Sequence, residues 1–441
     1  MRAPPPLLAE APGGLDTPGD LQTDPRDALW KLKDQSQNSL ETSGSKDLLI
    51  HNSPCAHTHA SREVPKARPL GEKAYPGACG KPSSFVLWVL EPCWQRAATG
   101  IGVSTFLRPS CTMKTQQKRW LEAVFAYQFV LTFLFMGLFL SLLVFYLLFT
   151  SFWLFSVLYL TWLFLDWDTP HQGGRRCEWI RNWALWKHLR DYYPIKLVKT
   201  AELPPDRNYV FGSHPHGIMS IGSVCNFSTE STNFSQKFPG LRPSLTALNS
   251  LFYVPIYRDY IMSSGICSVK RQSLDFILSR PQLGQAVVIL VGGAQESLSA
   301  IPGKHHLVLR NRKGFVHLAL RHGASLVPVY SFGENDVFRL KVFAKDSWQY
   351  LWQITFKKIM GFSPCIFWGR GLFSANSWGL LPFPVPITTV VGRPIPVPQR
   401  FHPTEEEVDH YHELYMKALQ QLFEEHKESC GVPASTHLTI I

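Results

Sequence analysis

The segment Tyr209-Val210-Phe211-Gly212-Ser213-His214-Pro215-His216-Gly217 passes from a short apolar run directly into two histidines. Such a run, followed by glycine and polar residues, is typical of a buried β-strand. Three more apolar runs follow along the chain, at 286–291, 326–329 and 388–391. Helical patterns occur between them, at 273–278 and 315–321. This alternation predicts an α/β fold whose ligand site lies beyond the carboxyl ends of the strands.

The two histidines of this segment, His214 and His216, form a compact polar turn around a proline. A neutral imidazole, with its ordinary pKa of ~6.5, can accept a proton from a hydroxyl group at physiological pH. A metal site is a second interpretation, although no cysteine or third histidine is suitably spaced nearby. A turn that merely satisfies its own hydrogen bonds is the third. Residue chemistry alone favours a catalytic base and leaves the other two open.

A similar turn follows the run 286–291 and contains Gly292-Gly293-Ala294-Gln295-Glu296-Ser297. A carboxylate at the end of a strand can bond to an imidazole and fix its tautomer. Alternatively, Glu296 caps the helix that follows. Taken alone, the turn favours this second interpretation. Gly292 and Gly293 allow a close approach of the backbone, so their N–H groups can stabilise a developing oxyanion.

A third cluster, Arg310-Asn311-Arg312-Lys313-Gly314-Phe315, carries three cations at the start of a predicted helix. Cations and free N–H groups in this position are typical of phosphate binding, and a solvated basic loop is the alternative. The formal net charge of the chain is +11, which also indicates an anionic partner. Because the sequence contains no recognised nucleic-acid-binding motif, we expect a phosphorylated small molecule instead of nucleic acid.

Membrane insertion is predicted by residues 123–165, which include no charged side chain. At about 43 residues, this run is roughly twice the ~20 residues of a membrane-spanning helix, so a hairpin of two helices fits it best. The bend is expected near Gly137 or at Thr150–Ser151. Basic residues on both sides favour a cytosolic location for both ends. We therefore predict a hairpin over 113–170, which spans or dips into the bilayer, and a cytosol-facing domain over 171–441.

Residues 1–112 are rich in Pro, Ser and Gly and have little hydrophobic periodicity, which predicts a disordered extension. With 45% apolar and 17% charged residues, the whole chain is not a disordered protein. The nine cysteines include no Cys-x-x-Cys pair and indicate reduced, cytosol-facing thiols. The glycosylation sequons at Asn226 and Asn233 are therefore expected to be unmodified.

Four blocks of this sequence occur together in one known family. They are Tyr192-Tyr193-Pro194, the His-Pro-His-Gly turn at 214–217, the turn at 292–297, and the block from Arg312 to Glu334. In combination they resemble the diacylglycerol acyltransferase 2 family, which esterifies lipid hydroxyl groups with fatty acyl-CoA. The resemblance extends from about Ile101 to the C-terminus. Three stretches resemble the monoacylglycerol acyltransferase branch: 175–193, 364–371 and 431–436.

The resemblance implies a glycerophosphate-acyltransferase-like sheet with flanking helices, anchored by an N-terminal membrane hairpin. The wider group pairs its catalytic histidine with an aspartate five residues on, but Ile221 occupies that position here. A residue more distant in the sequence must then orient the imidazole, and Glu296 is expected to do so.

The resemblance also implies the reaction, which is acyl-CoA-dependent esterification of monoacylglycerol to diacylglycerol at the endoplasmic reticulum membrane. His216 would remove the hydroxyl proton, and Glu296 would orient the ring of His216. His214 would shape the turn or assist with proton transfer. Acyl-CoA would be a co-substrate, with neither a resident cofactor nor a metal. Diacylglycerol or a long-chain alcohol is the alternative acceptor. A non-catalytic, lipid-organising membrane protein is the alternative of another class, and the protein can form an oligomer in each case. The basic side chains expected to hold the CoA phosphates are Arg312, Lys313 and Arg271.

Overall fold

A computed structural model of this protein describes residues 115–374 and 377–441. Its strands are β1 (Lys196–Lys199), β2 (Tyr209–His214), β3 (Arg242–Ala247), β4 (Ile266–Ser268), β5 (Gln285–Leu290), β6 (His306–Leu307), β7 (Ser325–Phe332), β8 (Arg339–Lys341), β9 (Ile366–Arg370), β10 (Trp378–Gly379), β11 (Thr388–Val391) and β12 (Thr439–Ile440). Its helices are α1 (Thr115–Leu147, with a π-helical segment at Thr132–Met136), α2 (Trp153–Leu165), α3 (Glu178–Arg181), α4 (Ala184–Tyr192), α5 (Ile221–Ser223), α6 (Phe234–Lys237), α7 (Tyr257–Ser263), α8 (Arg271–Leu278), α9 (Gly293–Ser297), α10 (Gly314–His322), α11 (Trp348–Met360) and α12 (Glu405–His426). The extension predicted over 1–112 lies outside the described residues.

Seven strands form the main sheet, in the order β1-β11-β7-β2-β5-β3-β4. All neighbouring strands in it are parallel except β11 and β7. The four apolar runs of the sequence form β2, β5, β7 and β11, so the predicted α/β sheet is confirmed. The central strand is β2, with Ser213 opposite Leu290 and His214 opposite Tyr330. The carboxyl ends of β2, β5 and β7 therefore meet at one edge of the sheet.

Hydrophobic cores cover both faces of the main sheet, because neighbouring residues of β2 point to opposite sides. On one face, Val210 packs in a cluster that includes buried residues of α8, α10 and α12. On the other face, the ring of Phe211 packs edge-on against that of Phe227, with centroids 5.9 Å apart. This two-sided burial explains why the strands of the sheet are continuous apolar runs in the sequence.

The uncharged run folds into α1 and α2, which are joined by a turn at 148–152. The helix continues through Gly137, so the bend occurs at the second of its two predicted positions. The hydroxyl of Ser156 in α2 donates to the carbonyl of Val144 in α1 at 3.0 Å. By length and composition, α1 is long and apolar enough to cross a membrane, whereas α2 is a shorter apolar helix. The helices α1 and α4 pack together through Ala126, Val130, Trp186 and Leu189.

Residues 178–192 form two helices, since α3 ends at Arg181 and α4 begins three residues later, at Ala184. Arg181 is fully buried, and its guanidinium donates to the carbonyl of Phe227 at 3.1 Å and to the carbonyl of Ser264 at 3.0 Å. It also forms an ion pair with Glu230 at 2.9 Å. These contacts hold the end of α3 against the domain core.

A second, antiparallel sheet is formed by β10, β9 and β8 in that order, and α11 connects β8 to β9. Phe367 of β9 and the nearby Leu380 pack against the hydrophobic cluster that also includes Ala123 and Val130 of α1. The small sheet thus lies beside the apolar hairpin, while the long helix α12 lies against β7 of the main sheet.

Candidate active site

His214, the last residue of β2, is fully buried and is held by the C-terminal helix α12. Its Nε2 lies 3.0 Å from the hydroxyl oxygen of Tyr415, and this hydroxyl donates to the carbonyl of Gly212 at 2.9 Å. Since the only hydroxyl proton is used there, Nε2 must donate to Tyr415. Burial lowers the pKa of His214 to about 3, so its ring is neutral near pH 7. A Cβ atom on Gly212 would lie 2.0 Å from the Tyr415 oxygen, so this position needs glycine.

His216 is half-buried and has a different hydrogen-bonding arrangement. Its Nδ1 lies 3.0 Å from the carbonyl oxygen of the next residue, Gly217. Because a carbonyl only accepts hydrogen bonds, Nδ1 carries the proton and the lone pair is on Nε2. Burial lowers the pKa of His216, although the hydrogen bond to Gly217 opposes this effect. The ring is therefore neutral near pH 7, and within the described residues no hydrogen bond engages its Nε2.

Glu296 of α9 is buried and holds the backbone on either side of it. Oε1 accepts the backbone N–H of His216 at 2.7 Å, and Oε2 accepts that of Val308 at 2.8 Å. Burial raises the pKa of Glu296 to about 7, while these two hydrogen bonds and the charge of Arg312 act in the opposite direction. A Cβ atom on Gly292 would lie 2.1 Å from Oε2, so glycine here makes room for the carboxylate.

The contact expected between Glu296 and the His216 ring therefore needs correction. The carboxylate bonds the main chain of His216, and the carbonyl of Gly217 bonds the ring in its place. The sequence brings the two side chains to the same edge of the sheet, but it does not reveal which atoms of the residue meet.

A second buried carboxylate, Glu334, was not assigned a role from the sequence. Its Oε1 accepts the N–H of Ile221 at 2.7 Å, and its Oε2 accepts that of Gly222 at 2.8 Å, at the start of α5. A Cβ atom on Gly217 would lie 2.8 Å from the Cγ of Glu334, so the carboxylate is packed against the turn. Burial raises the pKa of Glu334 to about 7. The available signal was its place just after β7, at the sheet edge that also carries Glu296.

The three basic residues predicted for phosphate binding lie in different surroundings. Arg312 is exposed, and its charge lowers the pKa of both Glu296 and Lys357, which places it beside the active-site turn. Lys313 instead forms an ion pair with Asp409 of α12. Arg271 begins α8 with its Nε 3.8 Å from Asp275, and its charge contributes to lowering the pKa of His317 in α10. Of these three predicted cations, Arg312 is the one that forms no ion pair within the described residues, and Arg271 lies on the neighbouring helix.

The arrangement provides an imidazole with an available acceptor nitrogen at the mouth of the sheet, on a backbone fixed by two carboxylates. Such a group suits the removal of a proton from a hydroxyl group. Within residues 115–374 and 377–441, no three His, Cys, Asp or Glu side chains are grouped as metal ligands.

Comparison with known proteins identifies the family to which the chain belongs. The family model described as diacylglycerol acyltransferase matches residues 145–441. The chain belongs to this family. The protein is an acyltransferase, and the resemblance inferred from its motifs is confirmed.

Two relatives show how closely this acyltransferase matches other members. Human 2-acylglycerol O-acyltransferase 3 is 77% identical over 341 residues, which is 77% of this chain and 100% of the relative. Human diacylglycerol O-acyltransferase 2 is 53% identical over 327 residues, or 74% of this chain and 84% of the relative. Among solved structures, the 1-acyl-sn-glycerophosphate acyltransferase PlsC from Thermotoga maritima matches with a TM-score of 0.32 and 12% identity, covering 70% of this chain and 97% of that one.

Proposed function

We propose that this acyltransferase transfers a fatty acyl group from acyl-CoA to a free hydroxyl of a monoacylglycerol, yielding diacylglycerol for neutral-lipid synthesis. The observation that carries the reaction is the neutral ring of His216, with Nδ1–H bonded to Gly217 and the lone pair of Nε2 available. The acceptor is inferred from the 77% identity to a protein named 2-acylglycerol O-acyltransferase.

The reaction is a direct transfer with His216 as the base. Nε2 takes the hydroxyl proton while the acceptor oxygen forms a bond to the thioester carbonyl carbon. The carbon–sulfur bond then breaks, and the imidazolium returns its proton to the departing thiolate of CoA. Glu296 positions the base by accepting the backbone N–H of His216. His214, bonded to Tyr415, holds the end of β2. A base of this kind contributes ~10²–10⁴-fold to the rate.

The phosphates of the co-substrate acyl-CoA are assigned to the surface beside Glu296. Arg312 is the main cation of this surface, because Lys313 is neutralised by Asp409. Lys357 lies next to it and donates to the side chain of Gln295. Arg271, half-exposed on α8, is a further cation for the extended CoA molecule. Acyl-CoA binds as a substrate, so the proposal includes neither a resident cofactor nor a metal.

The membrane location follows from the apolar hairpin. We assign residues 113–170 to the endoplasmic reticulum membrane as a multi-pass anchor and residues 171–441 to the cytosolic side, where acyl-CoA is dissolved. Large apolar side chains of α1, of α2 and of the turn between them are exposed, including Phe145 at 61%, Phe149 at 76% and Phe164 at 77%. Exposure of this extent is costly in water and favourable in lipid.

The order of blocks supports a glycerophosphate-acyltransferase type of fold, with one strand ending in histidine, one in glutamate, and a Lys-Gly helix that leads into a Val-Pro strand. Diacylglycerol is the second candidate acceptor, and the 53% identity to diacylglycerol O-acyltransferase 2 favours it.

The test uses membranes that contain the full chain, labelled acyl-CoA, and either monoacylglycerol, diacylglycerol or a long-chain alcohol. We expect the fastest ester formation with monoacylglycerol and a loss of ~10²–10⁴-fold in His216→Ala. The control is His188→Ala, because His188 lies outside the site and stacks on Phe125. Ester formation with diacylglycerol alone would mean that diacylglycerol, and not monoacylglycerol, is the acceptor. Unchanged turnover in His216→Ala would exclude His216 as the base.

A further inference from the structure

Helix α11 has an inverted polarity, with its large apolar side chains facing outward. On its inner face, Gln353 is only 3% exposed and donates to the carbonyl of Pro364 at 2.9 Å. A helix on a water-exposed surface has the reverse pattern, so the outer face of α11 calls for an apolar environment. The outward side chains lie on one helical face: Trp348 (74% exposed), Leu351 (66%), Trp352 (52%) and Ile359 (76%).

The inner face of α11 is attached to the turn that carries Glu296. The ammonium of Lys357 donates to the side chain of Gln295. Just beyond the helix, the hydroxyl of Ser363 donates to the carbonyl of Ala294. These contacts account for the polar residues on the inner face, and they fix α11 relative to the reacting centre.

The apolar surface of α11 continues to the hairpin. The ring of Phe373 is 88% exposed and lies 6.1 Å from that of Trp120 in α1. Trp378 in β10, which is 73% exposed, and Ile366 in β9, which is 50% exposed, extend this surface across the small sheet. Between that sheet and α11 lies an apolar groove of about 290 Å³, lined by Phe343, Trp348, Gln349, Trp352, Gln353 and Ile366.

Exposed cations border this surface. Lys345 and Asp346 lie just before α11, Lys358 lies within it, and all three are exposed. Lys341 ends β8, with its ammonium 5.9 Å from the ring centroid of Phe343 in the groove. Tryptophan and lysine at the margin of an apolar helical face are typical of elements in the headgroup region of a bilayer, where anionic lipids attract the cations.

We propose that α11 is a second membrane-binding element, which lies in the headgroup region of a lipid bilayer with Trp348, Leu351, Trp352 and Ile359 directed toward the acyl chains. The inference rests on the proposed membrane location of the hairpin. Lipid is chosen over a protein partner because the surface is continuous with α1, the helix suited to a bilayer. Through Lys357 and Ser363, this contact places the Glu296 turn at the lipid surface, where an acylglycerol hydroxyl is within reach.

The test reconstitutes the full chain in vesicles of phosphatidylcholine and phosphatidylserine with a small amount of phosphatidylcholine that carries a diazirine in its acyl chain. After irradiation, peptides that bear lipid are identified by mass spectrometry. We expect label on α1, α2 and α11, and several-fold less on α12, whose exposed Leu414 is the internal comparison. Label on the hairpin without α11 would overturn this inference and leave the membrane location intact, whereas no label on either would overturn both. If protein covered α11 in place of lipid, α11 would also remain unlabelled, and the inference would be overturned in the same way.

A pair of variants tests the side chain directly. Leu351→Asp should reduce lipid labelling of α11 several-fold and leave labelling of α1 unchanged, because it places a charge on the outer face alone. Leu414→Asp, on α12, is the matched control and should change neither. Equal labelling of α11 in the wild type and in Leu351→Asp would contradict a contact through this face.

Discussion

Replacing Glu296 with glutamine separates the effect of its buried charge from that of its hydrogen bonds. Burial raises the pKa of Glu296 from 4.5 to about 7, which corresponds to about 3 kcal/mol between its protonation states. Because the folded-state pKa is the higher one, this contribution to stability is complete below pH ~4.5 and is lost as the pH rises through ~7. The glutamine of Glu296→Gln does not titrate, so the variant lacks this dependence.

The variant also leaves one of two backbone N–H groups, that of His216 or that of Val308, facing an amide NH₂. An unpaired buried N–H costs ~1–3 kcal/mol at every pH. Glu296→Gln should therefore be less stable than the wild type under acidic conditions, and the difference should shrink or reverse in alkali, by about 3 kcal/mol in total. Thermal unfolding of the detergent-solubilised chain, followed by tryptophan fluorescence across this pH range, measures it. Parallel pH profiles for the two proteins would refute a buried carboxyl group with a raised pKa.

The activity of Glu296→Gln distinguishes two roles of Glu296. The carboxylate either positions the main chain of His216 or orients its ring directly. A carboxylate that bonds a catalytic imidazole directly is worth ~10⁴-fold in kcat when replaced by its amide. Displacement of a catalytic group through its backbone is worth ~10²-fold. Glu334→Gln is the matched comparison, because Glu334 also bonds two backbone N–H groups. We expect losses of up to ~10²-fold in both variants, and a ~10⁴-fold loss in Glu296→Gln alone would mean that its carboxylate acts on the ring after all.

Three further outcomes are expected. Tyr415→Phe removes the hydroxyl between the first histidine of the turn and a strand carbonyl, and should lower the free energy of unfolding by ~1–3 kcal/mol; an unchanged thermal midpoint would contradict that role. Arg312→Ala should raise the KM for acyl-CoA about tenfold, the equivalent of ~1.4 kcal/mol, whereas Lys313→Ala should have a smaller effect because Asp409 already pairs with it. Equal effects of the two would argue against Arg312 as the main phosphate ligand. The exposed sequon at Asn233 should carry no glycan, and a change in gel mobility after endoglycosidase treatment would contradict the cytosolic orientation of the domain.

The strands that surround the site were predictable because each is buried on both faces and reads as a continuous apolar run. The segment 242–247, Arg-Pro-Ser-Leu-Thr-Ala, forms β3 without such a run. It lies away from the centre of the sheet, where its backbone pairs with β5 and β4 although half of its side chains are polar. Pairing of this kind depends on the neighbouring strands, which a local pattern does not include.

The site was predictable at the level of side chains and much less so at the level of atoms. Alignment of strand ends explains why His216 and Glu296 lie together, since both follow central parallel strands. The contact between Tyr415 and His214 was not predicted, because helical periodicity carries no information on what a buried hydroxyl bonds. The partners of the two carboxylates are backbone N–H groups, which every residue except proline possesses, so no residue type marks them in the sequence.

Those backbone contacts also show what surrounds the proposed base, His216, in a chain that has no aspartate five residues after it. Ile221 occupies that position, and its N–H donates to Glu334, which comes from the end of another strand. The negative group is thus supplied to the main chain from a distance, while the proton on Nδ1 of His216 is fixed by the carbonyl of Gly217. A carbonyl sets the tautomer but does not carry the full negative charge with which a carboxylate stabilises an imidazolium. The base should therefore be less basic than one paired with aspartate, and burial, which lowers the pKa of His216, acts in the same direction. We accordingly expect the activity of the enzyme to persist at a lower pH than that of a histidine–aspartate pair, until the His216 ring is protonated; an acidic limb of the pH–rate profile above pH ~6.5, the ordinary pKa of histidine, would contradict this account.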